Sequence, residues 1–372
     1  MKTSEIEVAI LGGGLAGLVS AHLLAQSGQK VMLFEKKSYP FHRVCGEYLS
    51  AEVLGFLEKQ RLLPEGLDLP RISEFEYSDT NGKTEYISLD QGGIGVSRFV
   101  LDEWMAKRAR ESGAFMEEGV QVEEVDFLPK EDRFCITLND GREFFANHVL
   151  GAFGKRSKLD KSMSRSFITQ RSPYIGVKYH IRTDFDKSRV ALHNFEGGYC
   201  GINAVEEGKY NLCYLGLSKH SKKFGSIEAM EREVLWKNPK LKHLWMESEF
   251  LFEKPEVISE ISFEPKAPVE NHVLMIGDAA GLITPLCGNG MAMAIRSGFM
   301  ASELLMQNLS RPQLEQAYQK AWTQEFAFRL WVGRQSQKLF GSGKTSFLGR
   351  ILIGQFPFLA RQIIQKTHGK PF

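Results

Sequence analysis

The stretch from Val8 to Glu35 constrains the chain most. It opens with the apolar run Val8-Ala9-Ile10-Leu11, which reads as a buried strand. Gly12-Gly13-Gly14-Leu15-Ala16-Gly17 follows, then a helical pattern through Leu18, Ala21, Leu24 and Ala25 that Gly28 ends. A second apolar run, Val31-Met32-Leu33-Phe34, leads straight into Glu35. The order is strand, tight turn, helix, strand, acid, in a unit of about thirty residues. Gly12 permits the sharp turn, Gly14 lets backbone approach a pyrophosphate, and Gly17 lets helix and sheet pack closely. The helix N-terminus at Leu15 and Ala16 offers free N–H groups and partial positive charge to phosphates. Glu35 stands where a carboxylate accepts hydrogen bonds from a ribose diol. A lone GxGxxG is often only a tight turn. With both strands and the acid in place, a dinucleotide site is expected.

A chain of 372 residues can build two or three structural units. Its net charge of +2 creates no global field for nucleic acid. The five cysteines (Cys45, Cys135, Cys200, Cys213 and Cys287) include no CxxC pair. That pattern is neither a disulfide framework nor a zinc site, no metal is expected, and a reducing cytoplasm suits it. Met1-Lys2-Thr3-Ser4 leads into the first strand without a signal-peptide pattern. Val273 to Ile295, the longest stretch poor in charge, contains Asp278, Pro285 and several glycines, which argues against a membrane span.

Further along, Ser50 is positioned to cap a helix through Lys59, and Asn81-Gly82 centres a hairpin between Ile72 and Leu89. A helix is expected from Arg98 to Ser112. Strands are expected at Gln121 to Phe127, Phe134 to Leu138 and His148 to Ala152. From Ser157 to Lys266 the texture is β-rich, with one helix around Ile227 to Trp236. After that the alternation of strand and helix resumes. A strand from His272 to Ile276 leads through a turn to a helix from Gly290 to Met306, and closing helices are expected at Pro312 to Leu330 and Phe347 to Gln365. The fold class is therefore α/β: a discontinuous Rossmann-type domain (1–70, 92–156 and 268–310), an inserted antiparallel β-sheet domain (71–91 and 157–267) and a C-terminal helical region (311–372).

Two later segments carry chemistry. In Gly277-Asp278-Ala279-Ala280-Gly281, an Asp just past a buried strand can bond a sugar or ribityl hydroxyl. Pro285-Leu286-Cys287-Gly288-Asn289-Gly290-Met291 then opens a helix whose N-terminal amides suit the N1–C2=O edge of a flavin.

These segments, in this order, resemble FAD-dependent oxidoreductases of the para-hydroxybenzoate hydroxylase-like superfamily, and within it the geranylgeranyl reductase branch. Arg43-Val44-Cys45-Gly46-Glu47 resembles the branch's cysteine-glycine segment over the flavin, and Gly281 stands where aromatic hydroxylases often carry His. Gly197-Gly198-Tyr199-Cys200-Gly201 with Gly208-Lys209-Tyr210-Asn211-Leu212 resembles its substrate-domain strand pair. The resemblance implies FAD held without a covalent bond by Gly12, Gly14, Leu15, Ala16, Gly17, Glu35, Lys36, Arg43, Cys45, Arg98, Val122, Gly277, Asp278, Pro285, Gly288, Asn289, Gly290 and Met291. Arg98 would bond the FAD and Val122 would present backbone to the adenine. Cys45 and Gly46 would stand at the reacting face, with Tyr199, Gly201 and Asn203 toward substrate. The chain departs from the superfamily at Phe153-Gly154, where many hydroxylases carry Asp-Gly. It departs from the branch at Cys200-Gly201-Ile202-Asn203, where geranylgeranyl reductases tend to have Phe-Pro after the aromatic residue.

The expected activity is reduction of a carbon–carbon double bond in an isoprenoid, lipid or polyketide. Oxygen-dependent hydroxylation and simple electron transfer are the alternatives. The electron donor would be NAD(P)H or a reduced protein carrier. Gly341-Ser342-Gly343-Lys344-Thr345 imitates a phosphate-binding loop, but Lys338 occupies the position of its first glycine. Cys200 and Cys213 are expected in the core. Cys45, beside basic Arg43, is either an activated thiol or a plain buried one. After Glu325 no acidic residue occurs, while eight Lys and Arg residues alternate with apolar ones. Those apolar residues are expected to cap the substrate cavity. The plain reading of this segment is a pair of packed helices with a solvated basic face. The alternative is a face that docks on a membrane surface or an acidic carrier protein, and the expected location is cytoplasmic, at the inner membrane face in that alternative.

Overall fold

Ile6–Leu11 is buried at five of its six positions, as a parallel strand covered on both faces must be. A computed structural model describes residues 6–169, 172–284, 288–337 and 341–372. In it, Ile6–Leu11 pairs in parallel with Val31–Glu35 on one side and Glu143–Gly151 on the other. Phe115–Glu118 extends the first side, and the returning Val273–Met275 extends the second. Gly12 and Gly277 therefore both follow the carboxyl ends of parallel strands, one on each side of Glu143–Gly151, where ligands of such sheets bind. The antiparallel pair Val122–Leu128 and Arg133–Leu138 is appended through Glu143–Gly151. Leu15–Gln26 is buried from Leu15 to Ala25 because it lies between this sheet and the helix Gly290–Leu305. Contact with that helix is close: a Cβ on Gly298 would lie 2.5 Å from the Ala16 carbonyl oxygen.

A second sheet of nine strands runs from Tyr48–Ser50 through the hairpin Arg71–Ser78 and Thr84–Gly95 to Arg189–Phe195, Gly198–Ala204, Tyr210–Leu217 and Tyr174–Arg182. Alternation sorts its faces. Cys200, Ile202, Leu212 and Tyr214 enter a core under the helices Ile227–Val234 and Pro239–Glu247. The buried Glu231 joins those helices to the sheet, accepting hydrogen bonds from Tyr179, Tyr214 and Trp245. The helix expected around Ile227 to Trp236 is one of a run of three, Ser218–Phe224 being the first. Gly225 (φ +83°) ends it, and Pro239 starts the third at its first turn, where a missing N–H costs nothing.

Arg311–Gln337 is longer than the pattern predicted, and the expected helix from Phe347 to Gln365 is two, Gly343–Gln355 and Pro357–Thr367. Pro357 cannot continue a helix and pushes Phe356 out of helical conformation (ψ +55°). Both short helices pack over the strand Thr84–Gly95.

Candidate active site

A cavity of about 700 Å³, within the range of cofactor and ligand pockets, starts at the first glycine turn and runs between the two sheets. Gly12 has φ +116°, and a Cβ there would lie 2.4 Å from the Ala152 carbonyl oxygen, so only glycine makes this turn. Gly14 opens the helix facing the cavity, where a Cβ would meet only the Arg98 guanidinium at 3.8 Å. Leu15, Ala16, Glu35, Lys36 and Val122 also line the cavity. Gly17 does not, and its Cβ would strike the Gly12 carbonyl at 2.1 Å, so its role is packing.

Glu35 Oε2 accepts from the Gly13 amide at 2.8 Å and from Arg43 at 3.2 Å, while Oε1 accepts from the Lys37 amide at 3.1 Å. A carboxylate accepts about four hydrogen bonds, which leaves one lone pair for a ribose hydroxyl. Glu35 thus tensions the glycine loop as well as facing the cavity. Glu35→Ala should weaken FAD retention by about 1–3 kcal/mol. Release of FAD on dialysis checks this, and a variant that keeps its full yellow colour would contradict it.

Two guanidiniums stand along the next part of the wall, and one buried acid sets both. Asp102 takes Arg98 in a paired contact (2.6 and 2.8 Å) and Arg43 at 2.8 Å. Burial works against the charge on Arg98, but Asp102 overrides it and the pKa is raised. The fork geometry leaves both side chains fixed before an anion arrives. Asp102 escaped the sequence reading, although Arg98 and Asp102 at i and i+4 on a predicted helix carried the signal.

Gly277 and Asp278 also face the cavity. Burial raises the Asp278 pKa, against the pull of Lys266, Arg98 and Lys155. The turn is braced from behind: Lys266 donates to the Asp278 carbonyl at 2.8 Å and fully buried Arg165 donates to the Ala279 carbonyl at 3.0 Å. Gly288, Gly290 and Met291 line the cavity, and Pro285 lies outside the described residues. Asn289 occupies the N-cap position of the helix Gly290–Leu305, and its side chain donates to Glu52 at 3.2 Å and to the Thr367 carbonyl at 2.8 Å, pinning the C-terminal segment.

Opposite stands the loop Cys45-Gly46-Glu47. A Cβ on Gly46 would meet nothing within 4 Å, so that face is open. Burial pushes the Cys45 thiol up, which supports the plain-thiol reading over the activated one. Glu47 holds the loop with φ +53° and a fully buried carboxylate. That carboxylate accepts from Lys178, from His180 at 2.6 Å and from the Arg98 amide at 2.8 Å. Asn211 donates to the Gly46 carbonyl at 2.9 Å, and Asn203 to the Glu47 carbonyl at 3.4 Å. His42 stacks on Phe99 at 4.6 Å, and burial with the Lys178 charge lowers its pKa to about 4. It is neutral at pH 7.

Beyond the loop, Tyr199, Gly201 and Asn203 face the cavity from one side of their strand, with Leu215, Cys213 and Asn211 opposite them in register. Cys213 is therefore a wall residue and not the core residue expected from the sequence, whereas Cys200 is in the core. Asn203 is partly engaged by the Glu47 loop. The remaining wall includes Phe75, Tyr77, Val190, Leu192 and Ile261, closed by Leu352, Ile353, Ile363 and Ile364 of the C-terminal helices.

The FAD binding domain family matches residues 5–324. The chain belongs to that family. Its relatives include conditioned medium factor receptor 1 of Dictyostelium discoideum, 26% identical over 87% of this chain and 68% of the relative. A digeranylgeranylglycerophospholipid reductase of Methanosarcina acetivorans is 26% identical over 85% and 80%. A menaquinone reductase of Mycobacterium tuberculosis is 24% identical over 80% and 76%. Among solved structures, the flavin-dependent brominase Bmp2 superposes with a TM-score of 0.78 at 17% identity, covering 98% of this chain and 93% of that one, which establishes the shared fold. FAD fits the residues present: the turn at Gly12, the open approach at Gly14, Glu35, the two fixed arginines and Asp278 follow one continuous cavity. This member of the FAD binding domain family is a flavin-dependent oxidoreductase.

Proposed function

We propose that the protein reduces a carbon–carbon double bond in a hydrophobic, isoprenoid- or lipid-like substrate. The apolar continuation of the cavity past Cys45-Gly46 carries this reading: Phe75, Leu192, Ile261 and Leu352 would enclose a hydrocarbon chain and keep water from it. The names of the two reductase relatives support it. Bound FAD supplies the two-electron chemistry. The protein orients it through Glu35, Arg43, Arg98 and Asp278, and excludes water with the C-terminal helices. Cys45 and Gly46 stand at the loop face where the apolar part of the cavity begins. The electron donor in this reading is NAD(P)H or a reduced protein carrier.

The deciding experiment is turnover of a polyprenyl lipid with and without oxygen, using chemically reduced enzyme. Saturated product formed under argon is expected. Product that appears only with matching oxygen consumption would make the protein a monooxygenase, and no product in either atmosphere would leave electron transfer.

A further inference from the structure

The helices Gly343–Gln355 and Pro357–Thr367 are apolar on two sides. Their inner sides supply Leu352, Ile353, Ile363 and Ile364 to the cavity wall. On their outer sides Phe347, Leu348, Phe356, Phe358 and Leu359 are 46–69% exposed. Phe328 and Trp331, a stacked pair on the adjoining helix, are 54% and 52% exposed. Seven of the eleven large apolar residues exposed among the described residues thus fall between 328 and 359. That is a concentration, and not the normal scatter of single exposed side chains. A helix apolar all round is covered all round, and here only the inner side has its cover.

Charge indicates what lies against the other side. Lys344, Arg361 and Lys366 are exposed on the same two helices and form no ion pair among the described residues, and no acid follows Glu325 in the sequence. Arg350 differs, because Asp79 and Glu85 neutralise it on the sheet side. Bare aromatic rings flanked by unpaired cations match the acyl boundary of an anionic bilayer, which takes up rings and attracts bases at once. An acidic carrier protein would use the charges but leave the rings in water.

We propose that this outer face docks on an anionic membrane and that lipid enters the cavity past the two helices from the bilayer. Docking is measured without turnover, so it and the reductase reading can fail separately. The FAD-loaded full chain is sedimented with phosphatidylcholine vesicles and with vesicles of equal parts phosphatidylcholine and phosphatidylglycerol, at low and high salt. Binding to the anionic vesicles at low salt is expected, weaker by about a hundredfold on neutral vesicles or in high salt. Replacing both rings, Phe347→Ser with Phe358→Ser, should reduce binding at least about tenfold with FAD content and Tm unchanged. Failure to sediment in all four conditions would overturn the proposal. So would unchanged binding by the double variant, or retention on an immobilised acidic acyl carrier protein with none on vesicles.

Discussion

Glu47→Ala is expected to destabilise the protein by about 3–5 kcal/mol, read from urea unfolding of the FAD-loaded form. Lys178 has no exposed surface, and among the described residues Glu47 is its ion-pair partner. Removing the acid leaves a buried ammonium unpaired, which costs more than the pair contributes. Glu47→Ala with Lys178→Met should therefore recover most of the loss, and a double variant as weak as the single would contradict this account. The same group predicts a pH dependence. Burial raises the Glu47 pKa, but the Lys178 charge and the His180 hydrogen bond override it and bring it to about 2, below the ordinary 4.5. A lowered folded pKa stabilises above the unfolded pKa. The contribution, about 3 kcal/mol, is complete above about pH 4.5 and is lost as pH falls toward 2. In Glu47→Ala that acid limb should flatten.

Gly12→Val should yield protein that retains little FAD. A branched side chain at φ +116° is strained in itself, and its Cβ would stand 2.4 Å from the Ala152 carbonyl, backbone that cannot step aside without moving a neighbouring strand. Strain of about 2–3 kcal/mol in the bound loop corresponds to a loss of thirtyfold to more than a hundredfold in affinity. Gly28→Ala in the same unit is the control. Its φ is +87°, but nothing lies within 4 Å of a Cβ there, so it should cost about 1 kcal/mol and keep its FAD. Equal FAD content in both purified variants would show that the turn at Gly12 is not what positions the dinucleotide.

The dinucleotide unit was legible because its requirements are local. Gly12, Gly14, Gly17 and Glu35 act within one strand-turn-helix-strand, and the backbone that demands them lies within about thirty residues. The hairpin at Asn81-Gly82 and the strands from Tyr174 to Leu217 were legible for the same reason. What stayed hidden was pairing at a distance. Lys178 lies 131 residues from Glu47, and nothing in either neighbourhood marks them as partners. Asn289 sits in a convincing glycine-rich turn, yet its side chain answers to Thr367, 78 residues away. Cys213 was misplaced although the signal was present. Its register opposite Gly201 puts it on the face that Tyr199 and Asn203 share, and counting alternation across both strands would have found it.

The C-terminal segment is anchored to both sheets. On the inserted sheet, Tyr77 donates to the Ser346 carbonyl and Arg350 pairs with Asp79 and Glu85. On the nucleotide side, Asn289 and Glu52 hold Thr367 and Gly369, and Phe372 stacks on Phe56. It works as a clasp: spreading the two sheets would break both sets of anchors together, whereas lifting one short helix breaks part of one set. Opening should therefore be local, through the least protected element over the cavity, with the sheets holding station around the flavin. The rate of release from the cavity would then be tuned by the grip of Arg350 on the hairpin.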